Sequence, residues 1–347
     1  MAIFNTYYSA RELLGYNSLF NLVLSDRSDG KTFNCKVRAL EDYDKLGETT
    51  IYMRRYDTEI TPKMYNSFLD EVFHVDKYSW YAEKYEFRHS KTGVEIRERN
   101  KYDNKKEGWK WLIYFIPLSK AGKLKSQLDI TNIRTINFDE YVPLDGRYLK
   151  DEMLLLLEMW KSVDRDRDRT QCILLGNKIT PFCPFLDFFG ITLDIEKSRI
   201  RQYRDNTVAV QIYINEEHRN TRQTSRFASA ISGTDYQAYD EGGILNNVEV
   251  SIRGLSKQSR YIYSFATQYG EGSVYQDLDG HIIVSDKIRK DGIVFTDTTF
   301  SLPNRQCYNI RVSKYRYTLR TLFYSNAIHA TNANVYHKFL PLIKQSI

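Results

Sequence analysis

The stretch Phe20-Asn21-Leu22-Val23-Leu24-Ser25-Asp26-Arg27-Ser28-Asp29-Gly30-Lys31-Thr32 is an apolar run that passes into a polar turn ending in Gly-Lys-Thr. This pattern predicts a β-strand that leads into a phosphate-binding loop at the start of a helix. Backbone N–H groups near Gly30 would bind phosphate oxygens, Lys31 would reach the β- and γ-phosphates, and the Thr32 hydroxyl would hold Mg²⁺. The stretch therefore indicates a protein that uses ATP.

Two features of this loop depart from the usual pattern. Ser25 stands where glycine is common, and Asp26 and Asp29 lie inside the loop. Carboxylates repel a triphosphate, so they must point outward, accept backbone N–H bonds or pair with Arg27. The alternative interpretation is a Gly-Lys-Thr that occurs by chance in an ordinary turn.

The composition is that of a globular protein. The chain has 347 residues, of which 42% are hydrophobic and 14% aromatic, enough for two packed domains. The longest apolar run, residues 153–157, is too short to span a bilayer, and the N-terminus lacks a signal pattern, so a cytosolic location is expected. The four cysteines and six histidines lack metal-site spacing, and neither a zinc site nor a disulfide is predicted.

The charge suits a polyanionic partner without requiring one. Fifty Lys and Arg residues against 44 Asp and Glu residues give a net charge of +6. Basic side chains concentrate in one region, and aromatic side chains lie among them. The basic residues are Arg97, Arg99, Lys101, Lys105, Lys106, Lys110, Lys120, Lys123 and Lys125, and the aromatic ones are Tyr102, Trp109 and Trp111. This region is either a loop that faces nucleic acid or a solvated hairpin tip.

The first part of the chain predicts a mainly parallel α/β sheet. Residues 31–44 favour a helix and residues 49–55 a buried strand, which completes a βαβ unit with the first strand. Further predictions are a helix at 61–73, a hairpin at 85–88 and 94–97, strands at 111–117, 133–138 and 172–175, and an apolar helix at 149–163. Ligands of such sheets lie at the carboxyl ends of the strands.

The second part of the chain is predicted to be strand-rich. Residues 216–231 are polar and helical in pattern, and the Gly-rich residues 232–243 follow them. Short alternating runs then come at 248–252, 261–266, 273–276, 281–285 and 293–296, with helices near 315–326 and 334–345. We therefore predict a first domain over residues 1–214, a linker over 215–243 and an α+β domain over 244–347.

Polar residues that follow the later strands complete a plausible ATPase site. Asp139 and Glu140 follow a hydrophobic strand, where they would support Mg²⁺ and polarise water, and Asn177 ends the next strand. Hydrolysis also needs a cation in the transition state. The alternating Asp and Arg residues 164–169 are either a solvated loop or carry an arginine finger for a neighbouring subunit, with the aspartates holding the other arginines.

These segments resemble the genome-packaging ATPases, or terminase-like DNA encapsidation proteins, of small tailed bacteriophages with protein-capped linear DNA. The resemblance runs nearly end to end. It rests on residues 20–32, Tyr52-Met53-Arg54-Arg55-Tyr56, Ile116-Pro117-Leu118-Ser119, Phe138-Asp139-Glu140, the arginines at 165, 167 and 169, and Asn177. It implies a P-loop NTPase domain of the additional-strand, RecA/terminase-like class, followed by an RNase H-like vestigial nuclease domain that serves in binding.

The resemblance also implies roles for individual residues. Catalytic roles fall to Lys31, Glu140 and Arg165, the last acting in trans. Nucleotide contacts are implied for Ser25, Arg27, Gly30, Lys31, Thr32, Arg54, Arg55 and Asn177, and Mg²⁺ ligation for Thr32 and Asp139. Lys125 resembles a second trans-acting residue, and Lys123, Lys105 and Lys106 are further candidates for DNA contact.

The implied function is ATP-driven packaging of double-stranded DNA. The protein would form a ring, expected to be a homopentamer, docked on the portal of a prohead in the host cytoplasm, with no membrane partner and in some relatives a packaging RNA. Three alternatives stay open: a packaging ATPase with an active nuclease, a non-hydrolysing DNA-binding structural protein, and a small-molecule P-loop kinase. The nuclease alternative would use acids such as Asp277, Asp279, Asp286, Asp291 and Asp297, which lie mostly in turns.

Overall fold

The computed structural model of the protein describes residues 7–99, 101, 107–124, 132–143, 148–149, 151–177, 183–191, 198–233, 251–267, 269–289, 291–297, 305–325 and 327–346. The predicted DNA-contacting residues Lys105, Lys106 and Lys125 lie outside these ranges. The chain divides into two compact units, Met1–Asn246 and Asn247–Ile347. Within the described ranges, no helix combines the length and the apolar content that crossing a membrane requires.

The first unit contains a nine-stranded sheet in the order β3-β4-β5-β2-β6-β7-β1-β9-β8. Its strands are β1 Phe20–Ser25, β2 Thr49–Arg54, β3 Tyr85–Ser90, β4 Gly93–Glu98, β5 Lys110–Pro117, β6 Ile133–Asp139, β7 Gln171–Asn177, β8 Arg199–Tyr203 and β9 Val208–Tyr213. The strands from β5 to β9 in this order are parallel, and antiparallel pairs occur only towards the two edges. Because β7 lies between β1 and β6, the sheet has the additional strand that the family resemblance implied.

The helices of this unit pack against both faces of the sheet. They are α1 Arg11–Gly15, α2 Lys31–Leu46, α3 Pro62–Asn66, α4 Asp70–Phe73, α5 Asp76–Lys84, α6 Ala121–Leu124, α7 Glu152–Asp164, α8 Pro184–Phe189, α9 Glu216–Gln223 and α10 Arg226–Ile231. Leu22 and Leu24 of β1 join a cluster that includes α7. Val23 points the other way and packs with Cys35 of α2. Burial on both faces explains why β1 is apolar along most of its length.

Two sequence predictions in this unit need correction. The single helix expected over residues 61–73 is wrong, because α3 ends at Asn66 and α4 begins only at Asp70. Ser67 donates its hydroxyl to the carbonyl of Lys63 at 2.7 Å, and Phe68 and Leu69 are buried in the core. The strands β8 and β9 are absent from the prediction. Their turn has positive φ at three consecutive non-glycine residues, 204–206, so the usual glycine signal is missing.

The second unit contains a six-stranded sheet in the order β14-β13-β10-β11-β12-β15. Its strands are β10 Arg260–Thr267, β11 Gly270–Gln276, β12 Ile282–Ser285, β13 Val294–Thr296, β14 Cys307–Asn309 and β15 Ile328–Ala330, and its helices are α11 Tyr315–Tyr324 and α12 Ala333–Ser346. The strands β10 to β12 form an antiparallel meander, and β13 and β14 add in parallel beside β10. This is the strand order of RNase H-like sheets. Phe339 of α12 packs on Phe265 of β10, with ring centroids 5.0 Å apart.

The segment predicted as a linker, residues 215–243, carries two helices in its described part. These are α9 and α10, and both belong to the first unit, which extends to Asn246. Asn215 caps α9, because its side-chain oxygen accepts the N–H of His218 at 3.1 Å. The beginning of α9 also contacts the phosphate loop, as described below.

Candidate nucleotide site

The loop between β1 and α2 has the backbone of a phosphate-binding loop. Gly30 precedes α2 with φ of 85°, a left-handed conformation that L side chains rarely adopt. A Cβ at this position would lie 2.5 Å from Cδ1 of Tyr7. No side chain caps the beginning of α2, so its first N–H groups are available to an anion.

Lys31 lies at the centre of this loop and is almost completely buried. Its Nζ donates to the Ser25 hydroxyl at 2.7 Å, to the Asp26 carbonyl at 2.8 Å and to Oδ1 of Asn177 at 3.0 Å. The parallel register places Asn177 beside Ser25, which explains how Lys31 meets Asn177, 146 positions further along the chain. The predicted group of Ser25, Lys31 and Asn177 is therefore brought together at the carboxyl edge of the sheet.

Thr32 and Asp139 form the second part of the site. The Thr32 hydroxyl donates to Oδ2 of Asp139 at 2.8 Å, and the hydroxyl of Tyr52 donates to the same oxygen at 2.6 Å. Burial, followed by the charge of Asp139, raises the pKa of Tyr52 well above its usual value, which keeps this phenol a neutral donor. Hydroxyl and carboxylate oxygens are the ligands that Mg²⁺ prefers, so Thr32 and Asp139 fit the predicted metal role.

Glu140 follows Asp139 and has its side chain largely in solvent. Its φ is 57°, and its N–H donates to Oδ1 of Asp139 at 3.1 Å. The Glu140 carboxylate pairs with Arg54 at 2.7 Å, and Arg54 also reaches Glu59 at 3.3 Å. Arg54 thus lies beside both acids of the site, 3.6 Å from Asp139. The role of Arg54 as a nucleotide contact stays a prediction.

Arg55 has a different place from the one predicted. Its guanidinium is buried and makes a bidentate pair with Glu152 at 2.8 to 3.1 Å. It also donates to the carbonyls of Glu140 and Tyr141 at 3.1 and 2.9 Å. These contacts occupy the guanidinium, so the interpretation of Arg55 as a nucleotide contact is corrected to that of a residue that positions the backbone of Glu140.

Replacing Arg55 is expected to destabilise the protein strongly. Arg55→Ala leaves the buried Glu152 carboxylate without its cation, a change that costs about 3–5 kcal/mol of unfolding free energy. The matched control is Arg11→Ala, whose exposed pair with Glu41 should contribute less than about 1 kcal/mol. Chemical denaturation of both variants measures the difference, and equal midpoints would contradict the structural role of Arg55.

The loop that contains Arg165 is organised by one buried carboxylate. Asp164 accepts the backbone N–H groups of residues 167, 168, 169 and 170 at 2.8 to 3.0 Å. Asp166 and Asp168 are exposed. Arg167 donates to the carbonyls of Asp164 and Val163, and Arg169 reaches Glu48. The aspartates were predicted to hold the neighbouring arginines. In the structure the Asp164 carboxylate instead binds the backbone N–H groups of the loop, and Asp166 and Asp168 are exposed.

Arg165 itself is exposed, at the end of α7 with φ of 51°. It precedes β7, whose carboxyl end carries Asn177. Arg165 therefore lies towards the amino ends of the parallel strands, whereas the phosphate loop lies at their carboxyl ends. A seven-residue strand separates the two edges by about 20 Å. Arg165 therefore cannot reach the nucleotide site of its own subunit.

The Asp164 carboxylate makes the stability of this loop depend on pH. Burial raises the pKa of Asp164, but the backbone N–H groups of Thr170, Asp168 and Arg169 outweigh it and hold this pKa below its usual value. The contribution to stability is thus present above the unfolded-state pKa of about 4 and is lost as the pH falls towards the lower folded-state pKa. Asp164→Asn should cost about 2–4 kcal/mol at pH 7 and weaken this acid dependence. Denaturation at pH 7 and at about pH 2 tests it, because the lower pH lies below the unfolded-state pKa, with exposed Asp166→Asn as the control that should change neither value.

In the described part of the basic region, several basic and aromatic side chains contact one another and stabilise the fold. Arg97 pairs with Glu86 at 2.5 Å, and Arg97 and Arg88 both lie over the ring of Trp109, at 4.8 and 4.7 Å. Arg97 belongs to β4, and Trp109, which directly precedes β5, contacts the β3–β4 hairpin through these two arginines. Lys123, at the end of α6, is exposed.

The loop carboxylates have partners that the sequence did not suggest. Asp26 pairs with Arg219 at 2.7 Å, and Asp29 pairs with His218 at 2.9 Å. Arg27, the partner considered from the sequence, is exposed at the tip of the loop. Other residues that sequence reasoning missed are Tyr52 and Glu152. Tyr52 could have been found from strand alternation, because it lies two residues before Arg54 and both side chains point to the same face. The contact between α9 and the phosphate loop had no comparable signal in the sequence.

Comparison with known proteins shows the family of this chain. The family described as Podovirus DNA encapsidation protein (Gp16) matches residues 4–335. The DNA packaging protein of Bacillus phage phi29 is 29% identical over 322 residues, covering 91% of this chain and 90% of that protein. The DNA packaging protein of Bacillus phage B103 is 28% identical over 255 residues, covering 73% and 72%.

Two solved structures are similar as well. A chain of the bacteriophage Phi-29 viral genome packaging motor assembly has a TM-score of 0.69 at 23% identity, covering 99% of this chain and all of that one, which shows the shared fold. The N-terminal domain of the DNA packaging ATPase from bacteriophage phi29 has a TM-score of 0.50 at 27% identity, covering 60% of this chain and 96% of that one. Since the family match extends over nearly the whole sequence, the chain belongs to the podovirus DNA encapsidation protein (Gp16) family.

Proposed function

We propose that this chain is an ATP-hydrolysing motor that moves double-stranded phage DNA into a prohead. The observation that carries the ATPase part is the 2.8 Å hydrogen bond from Thr32 to Asp139, which joins the phosphate loop to the acidic end of β6 across 107 residues. Membership in a DNA encapsidation family supports the packaging part.

The residues of the site divide the chemistry among them. Gly30 and the beginning of α2 would bind phosphate oxygens, and Lys31 would exchange its contacts with Ser25 and Asn177 for the terminal phosphates. Thr32 and Asp139 would hold Mg²⁺, which supplies neutralising charge for the phosphates when it is bound. Glu140 would orient and polarise the attacking water once it leaves its pair with Arg54.

A ring of subunits would complete each site. Arg165 lies at the sheet edge opposite the phosphate loop of its own subunit, so its proposed role as a finger requires a neighbour's site. The proposed ring is a homopentamer docked on the portal in the host cytoplasm, with a packaging RNA as a further partner in the manner of some relatives. Basic side chains such as Lys123 would contact the DNA backbone without reading its sequence.

The alternatives find less support in the described residues. Asp277 and Asp279 both pair with Arg253, and Asp291 pairs with Arg289. The acids Asp26 and Asp29, which favoured a non-hydrolysing protein, are paired with α9.

The decisive experiment is steady-state ATP hydrolysis by the unaltered protein with and without double-stranded DNA and proheads. Hydrolysis that rises with DNA and accompanies DNA uptake into proheads is the expected result. Nicking of the DNA that depends on Mg²⁺ or Mn²⁺ would favour the packaging ATPase with an active nuclease. A protein that binds DNA but neither binds nor hydrolyses ATP would contradict the motor proposal.

A further inference from the structure

Two carboxylates lie buried inside the phosphate loop, next to the lysine that would bind phosphate. Asp26 is 5% exposed and Asp29 2% exposed. Uncompensated carboxylates at this position would repel a triphosphate, and burying them without partners is costly. ATP binding by this loop therefore requires that other side chains neutralise them.

The side chains that contact these carboxylates come from the first turn of α9, and one of them, Arg219, carries a positive charge. Nε of Arg219 donates to Oδ2 of Asp26 at 2.7 Å, and Nδ1 of His218 lies 2.9 Å from Oδ1 of Asp29. The helix reaches the loop because β9, which precedes it, pairs in parallel with β1 and places Tyr213 beside Ser25. The carboxyl ends of these neighbouring strands bring α9 and the loop together.

We infer that α9 is a charge-compensating clamp on the phosphate loop, through which Arg219 sets the affinity for ATP. The inference deepens the proposed function and rests on it. Arg219 is a positioning residue, because it acts through Asp26. The backbone carbonyl of Asp26 accepts Nζ of Lys31 at 2.8 Å, so a displaced Asp26 also disturbs the phosphate-binding lysine.

The clamp also links the loop to a particular part of the chain. The helices α9 and α10 are the last described elements of the first unit, and the second unit begins at Asn247. The cation that compensates Asp26 therefore comes from outside the phosphate loop, from Arg219 of α9.

A double-mutant cycle on Asp26 and Arg219 tests the clamp. Calorimetry would measure binding of ATP with Mg²⁺ to the unaltered protein, Arg219→Ala, Asp26→Asn and the double variant, with folding monitored by circular dichroism. Removing the Arg219 charge should weaken the affinity for ATP about ten- to thirtyfold. The double variant should bind within about threefold of the unaltered protein, because the charge that needed compensation is gone.

The control is Arg226→Ala, an exposed arginine on α10 that should leave the affinity unchanged. Arg219→Ala binding as tightly as the unaltered protein, or the double variant binding as weakly as Arg219→Ala, overturns the inference while the proposed function stands. If Arg219→Ala does not fold, Asp26→Asn decides, since it should bind ATP at least as tightly as the unaltered protein and weaker binding contradicts the clamp. No ATP binding by the unaltered protein overturns the proposed function and the inference together.

Discussion

Arg165→Ala is expected to reduce ATP hydrolysis by about 10³-fold or more, while the variant still folds and binds ATP. Arg165 is exposed at the end of α7, and its removal leaves the buried Asp164 contacts of the loop intact. A cation that stabilises the transition state contributes to turnover and little to ground-state binding. Steady-state hydrolysis and ATP binding, measured on the same samples, give the two readouts.

Mixing two inactive variants tests whether Arg165 acts in trans. Glu140→Gln lacks its own water-orienting group but offers an intact Arg165, and Arg165→Ala has the reverse defect. Mixed rings should hydrolyse more ATP than either variant alone, because some interfaces combine an intact Glu140 with an intact Arg165. Asp166→Ala, in the same exposed loop, is the control that should retain activity. Full turnover by Arg165→Ala would disprove the finger role.

Glu140→Gln is expected to lower ATP turnover by about 10²- to 10⁴-fold with little change in ATP affinity. Glutamine has nearly the shape of glutamate but cannot accept a proton from water. Among the described residues, the Glu140 carboxylate forms an ion pair only with Arg54. The substitution should therefore not disturb the fold. Single-turnover hydrolysis separates the chemical step from binding.

The matched control for Glu140 is Glu59→Gln. Glu59 also pairs with Arg54, at 3.3 Å, but it belongs to the short turn that follows β2 and not to the end of β6. Comparable losses from both substitutions would mean that the shared partner Arg54, and not Glu140, is responsible. Lys31→Ala, measured beside them, should instead abolish ATP binding, because Lys31 is the cation placed inside the loop.

Much of the site could be predicted because its signals are local. The apolar run of β1, the glycine at position 30 and the Gly-Lys-Thr are adjacent in sequence, and Asp139 and Glu140 follow the apolar run of β6. Parallel strands bring such strand ends to one edge, so Thr32, Asp139 and Asn177 meet as expected. The predicted hairpin, formed by β3 and β4, follows from the same kind of short-range pattern.

The remaining features depend on contacts between distant residues. Arg54, the last residue of β2, and Arg55, which follows it, look equivalent in the sequence. In the structure Arg54 pairs with Glu140, whereas Arg55 is buried against Glu152. Asp164 is one of three aspartates in a repeating pattern, and only its complete burial distinguishes it as the centre of the loop.

The local pattern of this sequence was sufficient to establish a phosphate loop, a parallel sheet and the acidic end of β6, because backbone periodicity and turn chemistry act over a few residues. The partners of Asp26 and Asp29 were not accessible in this way. Arg219 is 193 positions from Asp26 and meets it only because β9 pairs with β1. Charge compensation depends on distance in space, and strand pairing sets that distance.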